Sequence, residues 1–160
     1  GYFNWFDWAR RLFRVSLNQM KEMGLNVSAI YGVFGEQRNE MIARSKVILN
    51  HHFFETKILE MVRISFLLAN RCAVLSEKSS NQTEDSMWSS GICFSEYSNL
   101  PMTAQGLINN DSKRILLSET GFKMIRERKI EDYLKIALKT LVWYFQRYFL
   151  NKLRLQLIHS

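Results

Sequence analysis

The sequence predicts an α/β domain: a Rossmann-like parallel sheet of about five strands, helices on both faces and a long C-terminal helix. Three observations predict it. Short apolar runs rich in β-branched residues, chiefly Lys46-Val-Ile-Leu-Asn50 and Ala73-Val-Leu75, have the doubly apolar character of strands buried on both sides of a parallel sheet. Such runs alternate with helical patterns, and the right-handed crossover rule then gives a Rossmann-like winding. Lastly, Leu134, Ala137, Leu138, Leu141, Phe145, Tyr148 and Phe149 recur at spacings of three and four, which marks Glu131 to Ile158 as one long amphipathic helix.

Taken in order, Gly1-Tyr-Phe-Asn4 reads as the tail of a first strand. The chain opens there without Met, which suggests a cut at a domain boundary. Trp5 to Met23 is amphipathic, with Trp8, Leu12, Val15, Leu17 and Met20 on one side and Arg10, Arg11, Arg14 and Lys21 elsewhere; Gly24 closes it as a C-terminal cap would. Leu25 to Tyr31 alternates loosely and reads as a second strand, and Glu36 to Ser45 as a short helix after Gly32 and Gly35. The centre is Asn50 to Glu77: a polar loop, a helix from Thr56 to Ala69, a turn, and a strand ending at Ser76-Glu77. In that helix the polar Lys57, Glu60 and Arg63 recur every third residue on an otherwise apolar surface, so it is expected to be buried nearly all round. Lys78 to Trp88 is polar and Ser-rich and reads as an exposed loop. Gly91-Ile-Cys-Phe-Ser95 is a further strand, and helices follow from Leu100 to Arg128. The expected division is a nucleotide-binding domain over residues 1–128 and a helical extension over 129–160.

The 160 residues suit one domain of this kind, and 47% hydrophobic residues with 13% aromatic ones supply a core. Twenty-two basic residues against fifteen acidic ones give a net charge of +7, which fits a polyanionic ligand, a nucleic acid, an anionic membrane surface or simply a soluble basic exterior. A nucleic acid partner is not expected, because no nucleic-acid-binding motif is present. Cys72 and Cys93 fall in predicted strands without metal-ligand spacing and read as reduced core residues; no metal is expected. No stretch reads as a signal peptide, and no apolar run reaches the roughly 18 residues of a membrane span, so a cytoplasmic location is expected.

Three features carry candidate chemistry. A loop opening into a helix at the carboxyl end of a parallel strand is a natural anion site, because the first helical amides are unpaired and bear partial positive charge; the amides of Phe54 to Lys57 are expected there. His51 and His52 lie in that loop, either touching a ligand's phosphate or hydroxyl groups or capping backbone. Glu60 needs a partner for its carboxylate, which is either the ligand or an ion pair with Arg63 or Lys57. Arg10 and Arg11 either reach the same crevice or face solvent. No GxGxxG follows the first strand, so a dinucleotide cofactor is not expected.

The run GVFGEQRNEMIARSKVILNHHFFETKILEMVRISFLLANRCAVLSE, Gly32 to Glu77, resembles the donor-binding, C-terminal half of bacterial GT-B glycosyltransferases, with their RSKVVLN-x-HYYE-x-K-x-FE-x-VR-x-SYLLAN block. Gly1-Tyr-Phe-Asn4 with Arg10-Arg11 is similar to that family's G-x-x-N…RR opening, and Gly91-Ile-Cys-Phe to its GIVF strand, so the resemblance covers most of residues 1 to 128. It implies a nucleotide-diphosphate sugar as donor substrate, no cofactor and no metal. The implied contacts are Asn4, Arg10, Arg11, His52, Phe54, Glu55, Lys57 and Glu60. Retaining members carry an E-x7-E motif whose second Glu holds the ribose; Glu60 takes that place, and His52 stands where the first Glu would be. The resemblance also implies a partner, the N-terminal GT-B half that supplies acceptor contacts, and makes the basic aromatic helix over 131–160 a candidate for self-association or for contact with the inner face of the membrane. The alternative from another class is a non-catalytic nucleotide- or partner-binding module with a membrane-surface helix.

Overall fold

The structure, a computed structural model, describes residues 5–29, 32–52 and 54–158, with the side chains at 5–13, 130, 146 and 148–158 left outside that description. The strand expected over Gly1 to Asn4 therefore lies outside the described residues. Two compact units make up the chain, Gly1–Ile125 and Arg126–Ser160.

The first unit is α/β. Its sheet has three parallel strands, β1 (Ile48–Asn50), β2 (Val74–Glu77) and β3 (Cys93–Ser95), in the order β1-β2-β3, with Ile48 opposite Val74 and Leu75 opposite Cys93. Because side chains alternate across a strand, the two faces collect different residues. Ile48, Val74, Ile92 and Phe94 meet Ile64, Leu67 and Leu68 of α3 (Met61–Ala69) and Trp88 of α4 (Gln82–Trp88). Val47, Leu49, Leu75 and Cys93 meet Leu17 and Met20 of α1 (Trp5–Glu22) and Leu100, Ala104 and Leu107 of α5 (Leu100–Ile108). Both faces are thus covered, as doubly apolar strands require. Strand order that follows chain order moves both crossovers the same way, and right-handed crossovers then put α3 and α4 on one face. The chain leaving β3 goes instead to α5 on the other face, so the outgoing connections part between β2 and β3.

Among the described residues the sheet has three strands, not about five. Leu25 to Ala29 is irregular. Leu25 and Val27 are half-buried and pack on the cluster formed with α1 and α5, so their alternation comes from lying against a helical layer and not from a strand ladder. Gly24, at φ 78°, ends α1 in the left-handed conformation that the sequence suggested. The polar tract expected as a loop is one only over Lys78 to Asn81, and Gln82 to Trp88 forms α4. Asn81 caps α4, its side chain accepting from the Glu84 amide at 3.2 Å, and Trp88 is among the largest fully covered side chains.

The helix α6 (Asp111–Glu127) approaches the sheet through two glycines. A Cβ added at Gly121 would stand 2.6 Å from Leu68 Cδ2 and 2.9 Å from the Gly91 carbonyl, so backbone meets backbone there. The second unit is dominated by α7 (Ile130–Ile158), the long C-terminal helix. Among the described residues no helix is long and apolar enough to cross a membrane. Cys72 and Cys93 are free and half-buried, and burial pushes both thiols up from their ordinary acidity.

Candidate functional site

Each strand is apolar until its carboxyl end and then turns polar without leaving the interior. Asn50 and Ser76 are opposite one another and fully covered, and Glu77 and Ser95 are opposite one another and buried. Buried polar groups must be paired, and these are. Asn50 Nδ2 donates to Ser76 Oγ at 2.9 Å, and Ser76 Oγ donates to the Glu77 carbonyl at 2.8 Å. The same carbonyl lies 3.1 Å from His52 Nε2, and since a carbonyl only accepts, the His52 proton sits on Nε2. Ser95 Oγ lies 3.0 Å from Thr103 Oγ1 on α5.

Glu77 is the hub. Lys57 Nζ stands 2.8 Å from Oε1, the His52 amide donates to Oε2 at 3.3 Å, and His51 Nε2 is 3.6 Å from Oε2. A covered carboxylate without such partners would cost several kcal/mol of desolvation, so the sequence must bring a cation to it. It does so with backbone strain: Lys57 has φ 43°, a left-handed conformation uncommon outside glycine. His51 also meets the Tyr97 ring edge-on, at 5.3 Å between centroids and 80° between planes. Burial lowers the His51 pKa, with the Glu77 charge opposing; burial and then the Glu77 charge raise that of Tyr97, against a hydrogen bond with the Ser16 backbone. At the rim, the exposed side chains of Lys78 and Glu96 pair at 2.8 Å, which raises the ammonium pKa and lowers that of the carboxyl.

The loop before α3 differs from expectation. The helix begins at Met61, not at Thr56. Phe54 to Lys57 is a turn in which the Lys57 amide donates to the Phe54 carbonyl at 3.0 Å, so those amides do not form a helix N-terminus. The turn is tied to the α4 loop: the Ser80 amide donates to the Lys57 carbonyl at 3.0 Å, and Ser80 Oγ to the Thr56 carbonyl at 2.7 Å. Those crossing bonds, together with burial of Leu59 in the core, keep the segment out of the helix where helical periodicity alone would wind it. Ile58 and Val62 are exposed accordingly, so the helix is not buried all round. Glu60 becomes the N-cap residue, without a side-chain cap bond, and pairs with Arg63, whose guanidinium also donates to Asn50 Oδ1.

Of the expected contacts, His52, Lys57 and Glu60 belong to this one edge, the last through Arg63 and Asn50. Phe54 and Glu55 stand exposed on the adjoining turn. Asn4 and the side chains of Arg10 and Arg11 lie outside the described residues. Sequence reasoning missed Asn50, Ser76, Glu77 and Tyr97 as parts of the site. The available signal was the polar pair Ser76-Glu77 closing an apolar strand, which periodicity reads only as a strand end. Both imidazoles contact the scaffold, and each of the cations at the edge is paired with a carboxylate, Lys57 with Glu77, Arg63 with Glu60 and Lys78 with Glu96. Among the described residues no group of three His, Cys, Asp or Glu is placed to hold a metal ion. Neither a family model, a curated protein nor a solved structure matches the chain.

Proposed function

We propose that this chain is the donor-binding half of a GT-B type glycosyltransferase and takes a nucleotide-diphosphate sugar at the carboxyl edge of its Rossmann-like sheet. The observation that carries the reading is the parting of the connections after β2 and β3 to opposite faces, with the buried network of Asn50, His52, Ser76 and Glu77 at that edge. In open α/β sheets ligands bind in the crevice that such a parting opens. The resemblance of Gly32 to Glu77 to the donor-binding block points the same way.

In this reading Glu60 exchanges part of its pairing with Arg63 for ribose hydroxyls, while Lys57 and Arg63 offset the diphosphate charge. That charge is stabilised as it leaves by fixed cations, with no metal needed. His52, turned inward to the Glu77 carbonyl, supports the loop and makes no sugar contact. Enzymes of this type draw acceptor contacts from a second half, so the chain by itself is expected to bind donor without transferring sugar.

A thermal-shift panel of UDP, GDP, CDP and their sugars tests the proposal. Binding to the native state alone raises stability by about 2.7 kcal/mol at a hundredfold excess over Kd, so one base should raise the Tm by several degrees. No shift from any nucleotide at millimolar concentration overturns it. One observation favours a second reading, a non-catalytic module lying on the inner face of a membrane: α7 leaves Leu134, Ile136, Leu141, Trp143 and Phe145 each more than half exposed.

A further inference from the structure

A cleft of about 450 Å³ opens at the opposite, amino-terminal edge of the sheet, among α2 (Gly35–Arg44), the end of α3 and α6. Lys46, Arg71 and Arg114 line it, and among the described residues of its wall there is no Asp or Glu. The nearest carboxylates that these cations engage stand outside the wall: Asp111 at 2.5 Å from Arg114 and Glu119 at 3.5 Å from Arg71. Arg114 is rigidly held, its Nη1 donating to the Leu107 and Ile108 carbonyls at 2.8 and 2.9 Å. Apolar surface adjoins the cations. Ile42, Phe66 and Ile115 also line the cleft, Ile115 is largely exposed, and Arg38 lies 4.4 Å from the Phe66 ring centroid.

Arg71 supplies a second, independent observation. It ends α3 in a Schellman turn, with its own amide donating to the Leu68 carbonyl and that of Cys72 to Leu67, both at 3.0 Å. Its φ is 53°, at the position where glycine is the usual residue because an L side chain is strained there. The structural return for that strain is small: a stack over Phe122 at 4.3 Å and an exposed pair with Glu119, interactions that contribute little at a surface. A strained residue in a cleft wall that the fold does not require points to function.

We propose that this cleft binds a soluble phosphorylated small molecule, its phosphate held by Lys46, Arg71 and Arg114 and its apolar or planar part by Ile42, Phe66 and Ile115. Its size lies in the range of small-molecule sites, and guanidinium pairs match phosphate geometry.

The test is a titration of the full chain with inorganic phosphate and with phenyl phosphate at constant ionic strength, followed by backbone amide spectra. Shifts should centre on residues 45–46, 70–73 and 114–118 and leave residues 50–60 and 77 unmoved, which separates this cleft from the carboxyl-edge site. Phenyl phosphate should bind several-fold tighter than inorganic phosphate. Arg71→Gly should keep or raise the Tm while weakening phenyl phosphate about tenfold or more, the loss expected for a charge-assisted hydrogen bond, and Lys46→Gln should weaken it without a change of fold. Shifts that vanish equally with added chloride, unchanged affinity in Arg71→Gly, or binding to phosphatidic acid vesicles without binding to either soluble phosphate would each overturn the proposal.

Discussion

His51 is covered by the fold between the Glu77 carboxylate and the Tyr97 ring, and burial outweighs the nearby negative charge in setting its acidity. Its folded pKa lies below the ordinary 6.5, so when pH falls through that value the unfolded chain takes up a proton that the folded chain resists. Stability should therefore decline as pH drops from about 7.5 toward 5.5, the Lys57 charge nearby acting in the same direction. Melting curves across that range should show a slope for the parent chain and a flatter one for His51→Phe, which keeps a ring against Tyr97; an unchanged slope would remove His51 as its source. Glu60 separates two roles in the same way. As a half-exposed partner of Arg63 it contributes about 0–1 kcal/mol to stability. As a ribose ligand its charged hydrogen bonds are worth about 1.5–3 kcal/mol of binding, or roughly ten- to a hundredfold in affinity. Glu60→Gln is expected to melt within about 4 °C of the parent and to lose that affinity, and a larger loss of stability with unchanged nucleotide affinity per folded molecule retires the ligand role. Residue identities were more legible than their environments. The sequence marked Lys57 and Glu60 because polar residues interrupt an apolar run, and His52 because an imidazole stands in the loop after an apolar strand. It could not reveal that Glu77 gathers Lys57 and the His52 amide, because that depends on two strand ends meeting.

Elements were legible where period and caps agreed. The helices α1, α2, α5, α6 and α7 and the three strands follow patterns that local spacing carries, and Gly24 stops α1 as a C-terminal glycine should. The departures share a cause, which is tertiary packing overriding local signal. Leu25 to Ala29 alternates against a helical layer, Gln82 to Trp88 winds into α4 because Trp88 has a core to fill, and the α3 loop is held open by Ser80. The contact between α6 and the turn before β3 gives a test at this scale. In an open helix, replacing glycine by alanine gains about 1 kcal/mol. Here the added methyl would meet Leu68 and the Gly91 carbonyl, a clash partly against backbone, and overpacking of that kind costs typically 1–3 kcal/mol. Gly121→Ala should therefore destabilise on balance, by up to about 2 kcal/mol in a denaturant melt. A gain in stability would mean that α6 does not approach the sheet so closely.

For the molecule as a whole, the second unit raises the question of what covers it. Residues 141–145 of α7 are all apolar and each more than half exposed, and at about 100° per residue five in succession surround the helix. A helix that is apolar over most of its circumference is usually covered by something, and Lys135, Lys139 and Arg147 give this one a basic margin. The chain is expected to self-associate or to bind anionic vesicles through α7, with Trp143→Glu reducing whichever occurs. A strict monomer in sedimentation that also ignores vesicles would contradict this. The central claim concerns the first unit, and mapping a nucleoside diphosphate onto the backbone amides tests it most directly. The account predicts saturable shifts concentrated at residues 50–60, 77–81 and 95–97, weakened in Glu60→Gln. Shifts confined elsewhere, or none at millimolar nucleotide in a folded chain, would contradict it.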